Sequence, residues 1–236
     1  MNPALTVVAL VVTLGAVVAV SAREARATLV GLAIALGIGP FLGDPLPQVS
    51  TLATRVVAAA LTAYLLRVAV ETSPPAPARH PSRPGGSRIG WPAELLLAAA
   101  AWIVALNLAE GLAGLTFGAP AGGRGILELF TPAAVTVAAG LASMIVGIVP
   151  ALAGRDALRS TIGALVLVQG VLLFRVGVGG APSDLEQLGG VMLLLAIGVA
   201  GAWLIGAEGR QIATPPEGLE MAATAGVDEP RAGPVR

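Results

Sequence analysis

Residues 131–179 read TPAAVTVAAGLASMIVGIVPALA, then GRDALR, then STIGALVLVQGVLLFRVGVG. Two apolar segments of 23 and 20 residues therefore flank a short turn that carries Arg155, Asp156 and Arg159. A helix needs about 20 mostly apolar residues to cross the hydrocarbon core of a bilayer, so each segment is long enough to span a membrane. The pattern predicts a membrane-embedded helical hairpin whose charged turn lies at one surface.

The rest of the chain repeats this pattern. Of its 236 residues 56% are hydrophobic and 12% are charged, and the mean hydropathy is +0.85. So little polar surface cannot enclose a water-soluble core of this size. We therefore expect an all-α, polytopic integral membrane protein with about seven transmembrane helices. Pro40 removes a backbone donor near the end of the second segment, so a kink or an early end is expected there. The predicted segments are 4–21, 27–43, 51–70, 93–117, 131–153, 160–179 and 187–207.

The distribution of arginine predicts the orientation. All fourteen basic residues are arginine. If the N-terminus lies outside, and the distant tail arginines Arg231 and Arg236 are left out, nine lie at or near the cytoplasmic face and three toward the other face, as the positive-inside rule favours. We expect a multi-pass protein of the inner or plasma membrane, with an uncleaved first helix and a cytoplasmic C-terminus. The nine are Arg23, Arg26, Arg67, Arg79, Arg83, Arg88, Arg155, Arg159 and Arg210, and the three are Arg55, Arg124 and Arg175.

Composition divides the chain into four parts. Residues 71–92 are rich in proline, glycine and arginine and predict a cytoplasmic linker. It separates a first three-helix membrane unit, residues 1–70, from a four-helix unit, residues 93–207. Residues 208–236 have no apolar period and predict a disordered cytoplasmic tail.

An internal repeat links the two membrane units. Residues 22–31 (AREARATLVG) align without a gap with residues 154–163 (GRDALRSTIG), at a constant offset of 132. Each copy lies in the turn between two predicted helices. A duplicated three-helix unit in parallel orientation, plus one linking helix, would produce this match. Coincidence in a chain rich in alanine, glycine and arginine would produce it as well.

Several functional classes lack support in this sequence. Zero net charge and the absence of lysine give no electrostatic footprint for nucleic acid. Without cysteine the chain forms no disulfide and no thiolate-held cluster, and its one histidine, His80, lies in the predicted linker. No phosphate-binding loop or catalytic motif is present. We therefore predict no catalytic residue, metal or cofactor for this chain.

Polar residues inside predicted spans are candidates for function, because a charged side chain costs about 2.5–3.5 kcal/mol at the bilayer centre on insertion scales. Arg55, Asn107, Glu110 and Arg175 all fall in the same leaflet, and Gln169 lies in the sixth span. Asn107 and Glu110 share a helix face, and Glu110 could pair with Arg55 or Arg175. The cluster is either a structural ion pair, with arginines that reach the headgroups, or part of a proton relay.

Glycines mark the predicted contacts between helices. Gly163 and Gly170 lie seven residues apart on one face of the sixth span, and Gly140 and Gly147 repeat that spacing in the fifth. Since glycine lets helix backbones approach closely in a membrane, we expect these two helices to pack tightly.

The charged turn carries a family resemblance. The segment Arg155–Arg159, followed by Gly163 and Gly170, resembles the Arg-Asn-x-Leu-Arg…Gly…Glu-Asn-Gly pattern of hydrogenase-4 component E, a family found in formate hydrogenlyase and related complexes. Thr54–Val56 with Tyr64 is similar to a second motif of that family. Residues 131–207 also resemble the three-helix small subunit of the complex I membrane arm.

The resemblance implies a subunit of a redox-driven ion-translocating complex, with antiporter-like and anchor membrane subunits as partners in the lipid bilayer. The chain departs from the family at Val168 and Gln169, where the pattern has Glu-Asn, and at Met192, where an acidic residue is usual. Leucine, valine and methionine cannot exchange protons. We therefore expect a non-catalytic, mainly scaffolding subunit with at most a partial role in proton movement.

Two alternatives to this assignment remain. The chain could be a stand-alone small transporter or channel-like protein that uses a polar cluster at Arg55, Asn107 and Glu110. It could also be a divergent member of the family with a purely structural role outside any respiratory complex.

Overall fold

A computed structural model describes residues 3–43, 46–73, 91–117, 131–154, 156–180 and 182–213. These residues form seven α-helices and one short 3-10 turn, and they contain no strand. The chain is an all-α, multi-pass membrane protein. Its helices are α1 (Pro3–Ser21), α2 (Ala25–Ile38), α3 (Val49–Thr72), α4 (Trp91–Phe117), α5 (Pro132–Ala153), α6 (Ala157–Gly179) and α7 (Asp184–Ala213), and the 3-10 turn is Gly39–Leu42.

The outward surface of these helices is suited to lipid. Six of the described helices are long and apolar enough to cross a membrane, and α4 contains a shorter apolar stretch, Pro92–Leu108. Large apolar side chains point away from the bundle, among them Leu152 at 83% exposed and Trp203 at 64%. Water-soluble monomers rarely expose so many contiguous apolar side chains. The all-helical, multi-pass architecture predicted from the sequence is thus confirmed.

Two helix ends bear on the sequence predictions. The regular part of α2 ends at Ile38, and Pro40 lies in the 3-10 turn, which confirms the early end expected there. By contrast, the prediction that the tail begins at residue 208 is wrong, because α7 continues to Ala213. Glu208, inside this extension, accepts a hydrogen bond from the backbone N–H of Ala157 at the start of α6. The last turns of α7 are therefore anchored to a neighbouring helix. The remainder of the tail, and the linker from residue 74 to 90, lie outside the described residues.

The helices form two adjoining groups of three. In each group the middle helix contacts both others, α2 between α1 and α3, and α6 between α5 and α7. The groups meet at matching positions, since α1 contacts α5, α2 contacts α6 and α3 contacts α7. The remaining helix, α4, packs against α5 and α1, where Trp102 Nε1 donates a 3.0 Å hydrogen bond to Thr13 Oγ1.

Hydrogen bonds between the groups show that they run in parallel. Arg159, at the start of α6, donates to the backbone oxygens of Val20 and Ala22, which lie between α1 and α2. Near the C-terminal ends of α3 and α7, Ser73 Oγ donates a 3.5 Å hydrogen bond to the backbone oxygen of Ile205. The bundle therefore has two ends, which we call the Arg159 end and the Arg55 end. Helices α1, α3, α5 and α7 begin at the Arg55 end, and α2 and α6 begin at the Arg159 end.

The repeat seen in the sequence has a counterpart in helix geometry. Helices α1 and α5 end at Ser21 and Ala153, and α2 and α6 begin at Ala25 and Ala157, each pair at the offset of 132. The residues before the second helices, Glu24 and Asp156, are also equivalent, and the backbone oxygen of each accepts the first bond of its helix, at 3.0 and 3.1 Å.

The tightest helix crossings repeat at the same offset. A Cβ atom added to Gly31 of α2 would lie 2.6 Å from the backbone nitrogen of Ala19 in α1. The equivalent residue in α6, Gly163, would meet the backbone nitrogen of Ala151 in α5. Such contacts leave no space for a side chain, so each crossing requires glycine. The two helix pairs are therefore built on the same backbone contact.

The glycines of α5 and α6 pack as predicted. A Cβ atom at Gly140 would lie 2.5 Å from the backbone nitrogen of Phe174, and one at Gly170 would lie 2.6 Å from that of Met144. Because the atoms encountered are backbone atoms, no side-chain movement can relieve the overlap. The tight α5–α6 packing expected from the sequence is confirmed.

Candidate functional site

The charged side chains of the described residues of α6 and α7 lie toward the two ends of the bundle. On α6, no ionisable residue lies between Arg159 and Arg175, and on α7 none lies between Glu186 and Glu208. The middle of the bundle contains uncharged polar side chains instead, including the buried Thr62, Ser143 and Gln169. Hydroxyl and amide groups of this kind do not exchange protons near neutral pH as carboxylates and histidines do.

At the Arg55 end, Arg175 of α6 binds Glu186 of α7. Its Nη2 lies 2.7 and 2.9 Å from the two carboxylate oxygens. The same carboxylate accepts the backbone N–H of Ser183 at 2.9 Å, and Ser183 Oγ accepts the N–H of Glu186 at 3.3 Å. This reciprocal arrangement is a capping box at the start of α7. Since both charged side chains are more than 40% exposed, the ion pair itself adds at most about 1 kcal/mol.

The sequence carries a signal for the capping box, although not for the contact with Arg175. Ser183-Asp184-Leu185-Glu186 has the Ser-x-x-Glu spacing of a capping box and directly precedes an apolar run. We considered Glu110 as a partner for Arg175, whereas the structure places Glu186 there. The side chain of Glu110 lies outside the described residues.

The structure does not bring Arg55 and Asn107 together. Arg55 lies on the side of the bundle where α3 packs against α2 and α7, whereas Asn107 belongs to α4, which packs against α5 and α1. Asn107 is exposed, and its amide donates a 2.7 Å hydrogen bond to the backbone oxygen of Ile103 in its own helix. The two side chains therefore do not form one polar site.

Gln169 is buried in the middle of the bundle, at 4% exposed. Its amide lies against the backbone of Gly39, where the 3-10 turn follows α2, and a Cβ atom at Gly39 would collide with the amide nitrogen. This glycine therefore makes room for the glutamine. The contact joins α6 to the first helix group and does not connect Gln169 to either charged end.

At the Arg159 end, the charged turn before α6 contacts the first helix group. Arg159 donates hydrogen bonds of 3.2 Å to the backbone oxygens of Val20 and Ala22, and its Nε lies 3.9 Å from Asp156. The oxygen of Val20 lies in the last turn of α1, and that of Ala22 follows the helix directly. Carbonyl groups at a helix end have no partner in their own helix. Arg159, which belongs to the second helix group, thus supplies hydrogen bonds to backbone oxygens of the first. Arg155 lies outside the described residues.

These bonds make Arg159 a testable contact between the helix groups. We expect Arg159→Ala to destabilise the protein by about 1.5–3 kcal/mol, the range for hydrogen bonds to charged groups. Arg159→Lys should recover only part of this loss, because lysine cannot reach two oxygens with one planar fork. Thermal unfolding in detergent, followed by circular dichroism, measures the difference. Arg26→Ala is the control, since Arg26 is exposed near the same end, and equal losses from the two alanine variants would rule out the assigned role.

A cavity of about 240 Å³ lies at the Arg55 end, between α5, α6 and the 3-10 turn. Its described lining residues include Leu42, Thr131, Thr136 and Gly177, and none of those described is ionisable. The Thr136 hydroxyl already lies 2.9 Å from the backbone oxygen of Leu42. This lining offers little to recognise a charged substrate.

The described residues contain no group of three or more side chains that could hold a metal ion. Comparison of the chain with models of protein families, with curated proteins and with solved structures finds no match. Its function must therefore be argued from its own residues and from the motif of the charged turn.

Proposed function

We propose that this chain is a non-catalytic subunit of a membrane arm, in a hydrogenase-4-like or complex I-like complex that couples a redox reaction to ion translocation. Its main task is to hold neighbouring membrane subunits in place. One observation carries the proposal: residues of the motif that resembles component E occupy the contacts that hold the bundle together. Arg159 bonds the first helix group, and Gly163 and Gly170 form the α5–α6 crossings.

The uncharged middle of the bundle supports a scaffolding role. Arg159 and Arg175 lie 16 positions apart on α6, about 24 Å at 1.5 Å per residue. A proton crossing this distance within the chain would need titratable side chains or ordered water. Gln169 is the polar residue of α6 nearest the middle, and it cannot replace a carboxylate. Any proton path in the complex then runs mainly through the partner subunits.

We place the chain in the inner or plasma membrane, with the Arg55 end outside and the Arg159 end in the cytoplasm. The distribution of arginine along the sequence supports this orientation. Antiporter-like subunits and a membrane anchor for a soluble redox module are the partners that the resemblance implies. The stand-alone transporter is less well supported, because Arg55 and Asn107 lie on different sides of the bundle.

Co-purification tests the proposal. The chain, with a small C-terminal tag, is extracted from its native membrane in a mild detergent and purified by the tag. The mass of the intact assembly is then measured by native mass spectrometry. We expect antiporter-like and anchor subunits to be recovered with it in fixed stoichiometry. A second multi-pass protein of the same membrane, tagged and extracted in the same way, controls for carry-over. Recovery of the chain as a monomer or homodimer would refute the assignment.

Ion flux distinguishes the transporter alternative. We expect the purified chain alone, reconstituted in liposomes with a pH-sensitive dye inside, to leave a proton gradient intact. A flux that Asn107→Leu abolishes would instead support a pathway through the isolated chain.

A further inference from the structure

The guanidinium of Arg55 lies between α3 and α7. Its Nη2 lies 3.9 Å from the position that a Cβ atom on Gly190 would occupy. Thr62 of α3, seven residues after Arg55, packs on Gly198 of α7, eight residues after Gly190. Arg55 and Gly190 therefore stand at similar depth, and the side chain extends sideways between the helices instead of bending toward the helix end.

Arg55 has no carboxylate partner among the described residues. The ion pairs there are Arg67–Glu71, Arg159–Asp156 and Arg175–Glu186. A half-buried guanidinium at this depth is costly unless an anion or water accepts its hydrogen bonds. The groove between α3 and α7 thus contains an unmatched positive charge.

A second polar group, one turn away on α7, also lacks a partner. Gln187 lies one turn before Gly190 on the same face of α7 and is 6% exposed. Its amide nitrogen donates to the backbone oxygen of Pro182 at 3.3 Å, but its Oε1 is buried with no hydrogen-bond partner. A ligand that joins an anion to a hydrogen-bond donor would satisfy both side chains.

We propose that this groove binds a phospholipid, with the phosphate on Arg55 and a donor of the headgroup near Gln187. The guanidinium presents a planar fork of N–H groups that matches two phosphate oxygens. An ammonium or hydroxyl group in the headgroup supplies the donor that Gln187 Oε1 requires. Neither a chloride ion nor a simple carboxylate offers both functions.

The depth of the groove fits a lipid phosphate. Arg55 is six residues from the start of α3, about 9 Å along the helix. With 24 residues, α3 is about 36 Å long and extends about 3 Å beyond each side of a 30 Å hydrocarbon core. The guanidinium then lies about 6 Å below the hydrocarbon boundary, a distance that local thinning of the bilayer can close.

The surroundings favour a lipid over a free anion. The outward faces of both helices carry large exposed apolar side chains, Val57 on α3 and Leu188 and Met192 on α7. These side chains offer a surface for acyl chains. Gly190 is buried, and a Cβ atom there would lie 3.3 Å from the Leu172 side chain of α6, so Leu172 closes this side of the groove.

Native mass spectrometry of the purified chain tests the proposal directly. The protein is delipidated in detergent and titrated with a short-chain phosphatidylethanolamine. We expect one phospholipid to bind tightly, and Arg55→Gln to weaken this binding at least tenfold. Gly190→Val keeps the charge but places a side chain next to the guanidinium, and it should weaken phospholipid binding similarly. This variant replaces Arg55→Gln if that protein does not fold. Arg26→Gln, an exposed arginine near the Arg159 end, should bind as the unchanged chain does.

Three outcomes would overturn the proposal. The first is equal lipid binding by the unchanged chain and Arg55→Gln. The second is protection against thermal unfolding by millimolar inorganic phosphate, lost in Arg55→Gln, with no tight phospholipid; the ligand would then be a soluble anion. The third is a co-purifying subunit that can be cross-linked to the chain next to Arg55 through an acidic residue, while no lipid is bound there.

Discussion

Replacing Gly31 or Gly163 with leucine should abolish much of the stability of the bundle, with the larger loss at Gly31. Each residue lies at a helix crossing where even a Cβ atom would overlap the backbone of the facing helix. Overpacking typically costs about 1–3 kcal/mol even where side chains can move aside, and here the opposing atoms are fixed. For a chain of this size, a loss of 3 kcal/mol lowers the unfolding temperature by about 6–12 °C.

The chain offers a matched control in α2. Gly37 lies six residues after Gly31, and no atom lies within 4 Å of an added Cβ there. Gly37→Leu should therefore change the unfolding temperature by little. The measurement is thermal unfolding in detergent, monitored by circular dichroism and by the amount of monodisperse protein left after heating. If Gly31→Leu and Gly37→Leu unfold alike, the crossing does not hold α1 and α2 together.

A difference between Gly31→Leu and Gly163→Leu would also be informative. The two crossings are equivalent in backbone geometry, but α5 and α6 share further glycine contacts at Gly140 and Gly170. We expect those contacts to retain part of the α5–α6 packing when Gly163 is replaced. A full loss at Gly31 together with no loss at Gly163 would contradict the equivalence of the two crossings.

Much of this fold could be predicted from the sequence, because the membrane imposes a simple rule. A spanning helix satisfies its own backbone hydrogen bonds, so an apolar run of sufficient length indicates a helix whatever its neighbours are. The seven segments, the early end of α2 before Pro40 and the glycine packing of α5 on α6 all follow from local sequence. The repeat at an offset of 132 was visible as a short alignment, and the helix crossings extend it.

The relations between distant helices could not be predicted in this way. Arg55, Asn107 and Arg175 share a depth, and depth follows from position along each helix. Which helices are neighbours depends on packing across the whole bundle, and this packing separates α3 from α4. The capping box of Ser183 and Glu186 is a different case, because its spacing is present in the sequence. The contact of Glu186 with Arg175 depends on how α6 and α7 pack.

The extension of α7 beyond residue 207 was missed for a related reason. Residues 208–213 are not apolar, so hydropathy gives no signal for a helix there. Glu208 instead bonds the start of α6, and this contact between distant parts of the chain adds to the stability of the last turns. A hydropathy pattern cannot contain information of this kind.

Cysteine labelling tests the central claim that the two three-helix groups run in parallel through the membrane. The sequence contains no cysteine, so each introduced thiol is the only one in its variant. Glu24 and Asp156 precede α2 and α6, whereas Gln48 and Asp184 lie at the starts of α3 and α7. All four side chains are exposed, so labelling reports the side of the membrane and not burial within the bundle.

We expect a membrane-impermeant maleimide applied to intact cells to label Gln48→Cys and Asp184→Cys. Glu24→Cys and Asp156→Cys should react only after the membrane is permeabilised, because their end of the bundle faces the cytoplasm. The paired behaviour of Glu24 and Asp156 is the decisive result, since these residues are equivalent in the two groups. Labelling of Glu24→Cys and Asp156→Cys from opposite faces would contradict the parallel arrangement on which this account of the protein rests.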